Sequence, residues 1–136
     1  MATLFTRIIE GELPGRFVYR DDRCVAFLSI APIQPGHTLV VPIAEVDHWI
    51  DADPDLTAHL AQVAQTIGLA QQQAFRANRI ALMIAGLEVP HLHLHVVPIR
   101  TEADLSFANA DPSADPADLD AAAEAIRAAL GDEASS

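Results

Sequence analysis

Three histidines alternate with apolar residues in the segment Val-Pro-His-Leu-His-Leu-His-Val-Val-Pro. Successive side chains of a strand point to opposite faces, so His91, His93 and His95 are expected on one face, with neighbouring Cα atoms roughly 7 Å apart. At that spacing one ligand reaches two imidazoles. Near neutral pH an imidazole serves as a nucleophile, as a general acid or base, or as a metal ligand. The segment is the first candidate for chemistry in this chain.

Three interpretations of the histidine segment follow from its residue types. Surface histidines on a half-buried strand are the plainest, although histidine is not a preferred strand residue and the strict alternation argues against chance. A metal site needs a further ligand such as His37, because three histidines in one line do not easily complete a tetrahedron. In nucleophilic catalysis a neutral imidazole attacks phosphorus, and the central His93 is the best candidate. The residue types leave all three open.

The net charge of -11, from 19 acidic and 8 basic residues, argues against a nucleic-acid partner, because binding to a phosphate backbone depends on Lys and Arg. A small anion stays compatible, since imidazoles and backbone N–H groups make a local pocket positive. The single cysteine, Cys24, and the lack of a signal-peptide pattern favour the cytoplasm. No apolar stretch approaches the roughly 20 residues of a membrane helix, so we expect a soluble protein without a membrane partner.

Apolar patterning predicts an α+β fold that positions the histidines. Strands rich in Val, Phe and Tyr are predicted at 16–20, 24–30, 38–43, 79–85 and 91–97. The first two form a hairpin around Asp21-Asp22, and the turn Pro35-Gly36 places His37 at the start of the third.

Two helices are predicted from capping residues and helical spacing. Asp53-Pro54 begins one long amphipathic helix that runs to about residue 75, with apolar residues at Leu56, Leu60, Val63 and Ile67. Asp115-Pro116 begins a C-terminal helix that is expected to pack on the core or on a partner subunit and to stop at Gly131, with its apolar side formed by Leu119, Ala123, Ile126 and Leu130. The segment 101–117 is rich in Ala, Asp, Ser and Pro, so we divide the chain into a domain at 1–100 and a loop-and-helix extension at 101–136.

Four segments resemble the histidine-triad (HIT) family of nucleotide hydrolases and nucleotidyl transferases. The segment His-Leu-His-Leu-His-Val-Val from His91 matches the family signature, and segments that begin at Phe5, Asp22 and Pro35 match its opening segment and its next two strands in order and spacing. The resemblance covers about residues 4–100. It implies an antiparallel sheet of about five strands with one long helix.

The same resemblance implies a role for each histidine. His93 is the expected nucleophile, which forms a nucleotidyl-histidine intermediate at the α-phosphate. His95 contacts the phosphate and the leaving group, His91 supports the central imidazole, and His37 is a fourth histidine of the site. The implied activity is hydrolysis of a nucleoside phosphoramidate or a related nucleotidyl bond, without a cofactor, in a chain that is expected to form a homodimer.

The resemblance also implies a purine pocket, whose residues are equally consistent with an ordinary core: Leu4, Phe5, Ile8, Phe27 and Ile30. Ser29 stands where the family usually carries a ribose-binding aspartate, and Leu87-Glu88 replaces the usual polar pair near the phosphate. Thr3 and Thr6 stand at the Cys-x-x-Cys positions of zinc-holding members, so no such zinc site is expected. A binding module without turnover or with altered specificity is therefore the alternative function, followed by a metallohydrolase.

Overall fold

Five antiparallel strands form one sheet in this computed structural model, which describes residues 2–135. Their order across the sheet is β1-β2-β3-β5-β4, and their bounds are Phe17–Arg20 (β1), Cys24–Leu28 (β2), Thr38–Pro42 (β3), Arg79–Ile84 (β4) and Leu94–Ile99 (β5). The α+β prediction is confirmed. The last predicted strand was placed too early, because β5 begins at Leu94 and leaves His91 and His93 in the segment before it.

Strand β5 lies between β3 and β4, which places His95 near the middle of the sheet. In the antiparallel registers, His95 pairs with Leu39 on one side and with Met83 on the other. His37 lies directly before β3, so its side chain comes beside that of His95 although the two are 58 positions apart. The sheet therefore assembles the site from distant parts of the chain.

Three α-helices accompany the sheet, at Leu4–Ile9 (α1), Pro54–Phe75 (α2) and Pro116–Ser135 (α3). The α2 prediction is confirmed, since Asp53 Oδ1 accepts from the backbone N–H of Asp55 and the helix ends at Arg76, in the left-handed region with φ 51°. In α3 the backbone leaves helical geometry at Gly131, where φ is 67°, which agrees with the predicted stop. Helix α1 was not predicted.

Apolar side chains cover both faces of the sheet, which is why all five residues of β2 are buried. Cys24, Ala26 and Leu28 face the layer of α2 and α3, whereas Val25 and Phe27 face the side of α1. The alternation of side chains thus separates a large core beneath the long helices from a smaller one beside the histidines.

Helix α3 packs on the protein's own core. Its residues Leu119, Ala123 and Ile126 are buried, and Ala123 and Ile126 belong to the same apolar cluster as the α2 side chains. Asp120 forms an ion pair with Arg16, and Arg127 donates from Nε to the carbonyl oxygen of Phe17 in β1. Of the two packing modes predicted for this helix, packing on the protein's own core is confirmed. The division of the chain at residue 100 stays a prediction. Among residues 2–135 no helix is long and apolar enough to cross a membrane.

Candidate active site

The four candidate histidines are buried together on the α1 side of the sheet. Their exposed fractions are 3% for His37, 0% for His91, 6% for His93 and 7% for His95. The expected alternation holds although β5 begins only at Leu94, because Leu92, Leu94 and Val96 all lie in the core on the opposite face. Surface histidines are therefore excluded as the explanation of the segment.

His91 is held by hydrogen bonds at both ring nitrogens. Its Nε2 lies 2.7 Å from the carbonyl oxygen of Pro42, and its Nδ1 lies 2.6 Å from the hydroxyl oxygen of Thr3. A carbonyl oxygen only accepts, so Nε2 carries a proton, and in the neutral ring Nδ1 accepts from the Thr3 hydroxyl. Neither nitrogen of His91 is left for a ligand.

His93 uses one ring nitrogen and keeps the other. Its Nδ1 lies 2.7 Å from the carbonyl oxygen of His91, so Nδ1 carries the proton and donates it. In the neutral ring Nε2 then has an unshared electron pair. The ring packs edge-on against Phe5 and against His95, with ring centroids 4.9 Å apart in both pairs.

A chain of hydrogen bonds also assigns the proton of His95. The backbone N–H of Ile33 donates to His37 Nδ1 over 3.1 Å, so the neutral His37 ring carries its proton on Nε2. That Nε2 lies 2.9 Å from His95 Nδ1 and donates to it. His95 therefore carries its own proton on Nε2, where it is available as a donor.

Burial keeps His37, His93 and His95 neutral at pH 7. It is the largest cause that lowers the pKa of His37 from 6.5 to about 3 and that of His95 to about 4, with the neighbouring histidines as further causes. Burial also lowers the pKa of His93 below 6.5. The cluster thus offers an unshared pair on His93 next to a neutral N–H donor on His95.

A cavity of about 170 Å³ opens onto His93 and His95. Its other walls are the turn after β4, with residues 85–88, and the ring of Phe107. Phe107 belongs to a short 3₁₀ turn, Phe107–Asn109, and its ring centroid lies 5.2 Å from that of His95. Sequence reasoning missed Phe107, because it lies in the segment 101–117, whose composition indicates a loop, and it reaches the site only through the tertiary fold.

A family comparison identifies the family of this chain, since residues 10–102 match the model described as the HIT domain. The chain belongs to the HIT family. The matched range contains all five strands and all four histidines, so the resemblance stated from the sequence is confirmed.

Known HIT proteins match this chain over nearly its whole length. An uncharacterized HIT-like protein of Mycobacterium tuberculosis is 32% identical over 138 residues, which cover 98% of this chain and 96% of that protein. A zinc-bound histidine triad family protein from Mycobacterium smegmatis superposes with a TM-score of 0.83 at 33% identity, over 96% of this chain and 94% of the other. A hypothetical histidine triad nucleotide-binding protein from Sulfolobus tokodaii gives 0.81 at 30% identity, over 93% and 90%.

The apolar residues predicted for a HIT purine pocket divide into two groups. Phe5 and Phe27 are buried and contact each other edge-on at 5.6 Å, with the partly buried Ile8 packed against them. Leu4 and Ile30 are instead 46% and 72% exposed. Phe5 is the member of this set whose ring contacts His93 directly.

The residues that depart from the HIT pattern also have defined surroundings. Ser29 Oγ accepts from the backbone N–H of Ala31 and so stabilises the turn after β2. Leu87 is 97% exposed at the rim of the cavity. Glu88, whose orientation the sequence left open, lines the cavity, and its charge acts to raise the pKa of His93 against the larger effect of burial.

The histidine cluster of this HIT protein lacks the free ligands of a metal centre. Hydrogen bonds occupy both nitrogens of His37 and His91 and one nitrogen each of His93 and His95. Two ring nitrogens are left, whereas a catalytic zinc takes three protein ligands, and in the described part of the chain no set of three ligand atoms within 4.8 Å of one another includes them, with Glu88 or otherwise. The donor set therefore argues against the metallohydrolase alternative.

A separate set of metal-ligand types, which sequence reasoning did not single out, lies on the far side of the sheet. In the described part of the chain, the ligand atoms of Asp21, Cys24 and His59 lie within 4.8 Å of one another. Asp21 Oδ2, however, already accepts from Tyr19 Oη at 2.8 Å and bonds to His59 Nε2 at 2.7 Å. Burial raises the pKa of the Cys24 thiol to about 12. These contacts join the β1–β2 turn to α2 and explain the cluster without a metal.

Proposed function

We propose that this HIT protein hydrolyses or transfers nucleotidyl groups through His93, with nucleoside phosphoramidates or related nucleotidyl compounds as substrates. The observation that carries the proposal is the 2.7 Å hydrogen bond from His93 Nδ1 to the carbonyl oxygen of His91, which leaves Nε2 as a free nucleophile. The nucleotide-binding description of the Sulfolobus tokodaii relative supports the substrate class.

In the first step the electron pair of His93 Nε2 forms a bond to the α-phosphorus, and the bond from phosphorus to the leaving group breaks. A departing amine takes its proton from solvent water. The imidazole ring of the intermediate, bonded to phosphorus at Nε2 and protonated at Nδ1, carries positive charge, and the carbonyl oxygen of His91 stabilises it by accepting from Nδ1–H. The Nε2–H of His95 donates a hydrogen bond to the phosphoryl group or the leaving atom.

In the second step water attacks the same phosphorus, and the nitrogen–phosphorus bond breaks. The electron pair returns to His93 Nε2, the water proton is released to solvent, and the nucleotide departs. If an alcohol or another phosphate attacks in place of water, the same step transfers the nucleotidyl group. His37 acts through His95, because its Nε2–H bond fixes which nitrogen of His95 faces outward as a donor.

The size of the cavity supports a division of the substrate into an enclosed part and an outer part. A volume of about 170 Å³ is below the roughly 300–1,000 Å³ of pockets that enclose a drug-sized ligand. The phosphate and leaving group occupy it, beside Leu87 and Glu88. The nucleoside lies outside it, towards the apolar residues beside α1 and the turn after β2: Leu4, Phe5, Ile8, Phe27, Ser29 and Ile30.

A binding module without turnover is the second candidate, favoured by the position of Glu88. Its carboxylate lines the same cavity as His93 and His95, and a negative charge there opposes a phosphate dianion. Calorimetric titration with adenosine monophosphate and with inorganic phosphate distinguishes the two candidates. Tight binding with no turnover of any phosphoramidate favours the module, and rapid turnover excludes it.

The direct test is incubation with adenosine phosphoramidate, with product followed by chromatography and the intermediate trapped by rapid denaturation and mass spectrometry. Wild-type protein is expected to release adenosine monophosphate and to carry a nucleotidyl adduct on the peptide that contains His93. His93→Ala is expected to lose more than about 10²-fold in rate and to form no adduct. His48→Ala, which removes an exposed histidine outside the cluster, is the matched control. Equal rates of adenosine phosphoramidate hydrolysis for His93→Ala and wild type would contradict the proposal.

A further inference from the structure

Glu45 joins the loop after β3 to the start of α1. Its Oε2 accepts from the backbone N–H of Thr3 at 2.8 Å and from the hydroxyl of Thr6 at 2.6 Å. Thr3 is the residue that caps α1, since its own hydroxyl oxygen accepts from the backbone N–H of Thr6 at 3.1 Å. One exposed carboxylate thus holds the cap of a helix that lies about 40 positions earlier in the chain.

The capping residue Thr3 also contacts the histidine cluster directly. Thr3 Oγ1 lies 2.6 Å from His91 Nδ1, and the 2.7 Å contact from His91 Nε2 to the carbonyl oxygen of Pro42 requires a proton on Nε2. The neutral ring therefore accepts the Thr3 hydroxyl proton at Nδ1. The Pro42 carbonyl thus selects the tautomer, and the Thr3 hydroxyl supplies the second hydrogen bond that fixes the orientation of this buried ring.

Two contacts couple the position of the His93 ring to the positions of α1 and His91. The carbonyl oxygen of His91 accepts from His93 Nδ1 at 2.7 Å, which leaves Nε2 unprotonated. Phe5, in the first turn of α1, packs edge-on against the rings of His91 and His93, with centroid distances of 5.8 and 4.9 Å. A shift of α1 or a rotation of His91 therefore changes the position of the nucleophilic nitrogen, His93 Nε2.

We propose that Glu45 and Thr3 are positioning residues of this site: Glu45 holds Thr3 and Thr6, and the Thr3 hydroxyl fixes the orientation of the His91 ring through its hydrogen bond to Nδ1. Glu45 itself touches none of the histidines. Its effect on turnover rests on the proposed function, whereas its effect on the hydrogen bond at His91 Nδ1 does not. The two parts can therefore fail separately.

Four variants of the full chain test the arrangement. Thr3→Val removes the hydroxyl and keeps the side-chain size, while Thr3→Ser keeps the hydroxyl. Glu45→Ala removes the carboxylate, and Glu45→Gln, which keeps an acceptor oxygen, replaces it if the alanine variant does not fold. Asp47→Ala is the matched control, because Asp47 is an exposed carboxylate two positions along the same loop.

Long-range ¹H–¹⁵N NMR of the histidine rings reports which nitrogen carries the proton. Wild type, Thr3→Ser and Asp47→Ala are expected to show His91 as a single Nε2–H tautomer and His93 as Nδ1–H. In Thr3→Val and Glu45→Ala His91 is expected to stay Nε2–H, because the Pro42 carbonyl selects that tautomer, while its Nδ1 ¹⁵N signal is expected to move downfield as the hydrogen bond from Thr3 is lost. The kcat for adenosine phosphoramidate is expected to fall about 10-fold in these two variants, because the reacting group is less well oriented, with a smaller change in KM.

An unchanged His91 Nδ1 signal in folded Thr3→Val and Glu45→Ala overturns the positioning role. Loss of kcat in Thr3→Ser equal to that in Thr3→Val also overturns it, because the hydroxyl would then not be the feature that matters. If wild-type protein turns over no phosphoramidate, the proposed function fails and the NMR comparison still decides the role of Glu45 and Thr3.

Discussion

At the scale of single residues, His37 couples folding to pH. Burial is the main cause that holds its folded-state pKa at about 3, whereas the unperturbed value is 6.5. Between these values the unfolded chain binds a proton that the folded chain does not, so the free energy of unfolding falls as the pH falls. His95, with a pKa of about 4, acts in the same direction. The stabilisation is complete above about pH 6.5 and is lost progressively below it.

We predict that urea unfolding between about pH 7 and pH 4 shows this loss, with each such histidine contributing at most about 1.4 kcal/mol per pH unit. His37→Gln removes one titrating ring and is expected to reduce the slope of unfolding free energy against pH. His48→Gln, at an exposed position, is expected to leave the slope unchanged. Identical slopes for wild type and His37→Gln would contradict the prediction.

Gly36 directly precedes His37 and combines two constraints that exclude a side chain. Its φ is +88°, and a Cβ built on it would lie 2.5 Å from the ring of Phe75. We predict that Gly36→Ala lowers the free energy of unfolding by about 2–3 kcal/mol, because the backbone cost and the clash add. Gly11→Ala isolates the backbone cost alone, since Gly11 has φ +87° and nothing within 4 Å of its Cβ position. Denaturant midpoints of the two variants that coincide would show that the Phe75 contact is harmless.

At the scale of elements, α2 holds together the two strands that carry His37 and His95. Gln71, fully buried in α2, donates from Nε2 to the carbonyl oxygens of Gly36 and Val96, each at 2.9 Å. These carbonyls belong to the neighbours of His37 and His95 in the chain. Among the described side chains, Gln71 Oε1 is the buried polar atom without a hydrogen-bond partner. The Gln71 amide therefore leaves one buried acceptor unsatisfied, which lowers the free energy of unfolding.

We predict that Gln71→Leu destabilises the protein by about 1–3 kcal/mol, because the buried carbonyl oxygens of Gly36 and Val96 each lose one donor, and that of Gly36 keeps, among the described residues, only the hydroxyl of Thr38. It is also expected to lower the rate with adenosine phosphoramidate by loosening the His37–His95 pair. Gln73→Leu makes the same chemical change at an exposed position of the same helix and serves as the control. Urea unfolding measures the first effect, and a stability equal to that of Gln73→Leu would contradict it.

The elements differ in how far the sequence predicts them. Helix α2 follows from its capping pair and from the spacing of Leu56 to Ile67, because both signals are local. Helix α1 escapes prediction because six residues are too few for a helical period, and its cap depends on Glu45 in a distant loop. The alternation around His93 predicts the correct face even though the ladder of strand hydrogen bonds begins only at Leu94. Phe107 and Gln71 reach the histidines through tertiary packing, which no local pattern reports.

At the scale of the whole molecule, β4 is an edge strand that is suited to pairing with a second copy of the chain. It has a strand partner on one side only, whereas the other edge strand, β1, is tied to α3 by Arg127. Beside β4 an apolar groove of about 370 Å³ runs along α2, and Leu69 and Leu82 in its lining are 70% and 53% exposed. An unpaired edge strand with exposed apolar neighbours is suited to antiparallel pairing with an identical strand across a two-fold axis.

We therefore predict a homodimer that joins two sheets at β4, because pairing satisfies the edge and buries Leu69 and Leu82. Sedimentation velocity is expected to give twice the mass of one chain, and the dimer is expected to tighten with added salt, since each copy carries a net charge of -11. Leu82→Glu places a charge in the groove and is expected to give a monomer. Leu87→Glu, at an equally apolar and more exposed position beside the histidine cavity, is expected to remain dimeric. A wild-type monomer would contradict the prediction, and a dimer that persists in Leu82→Glu but dissociates in Leu87→Glu would show that the interface lies elsewhere.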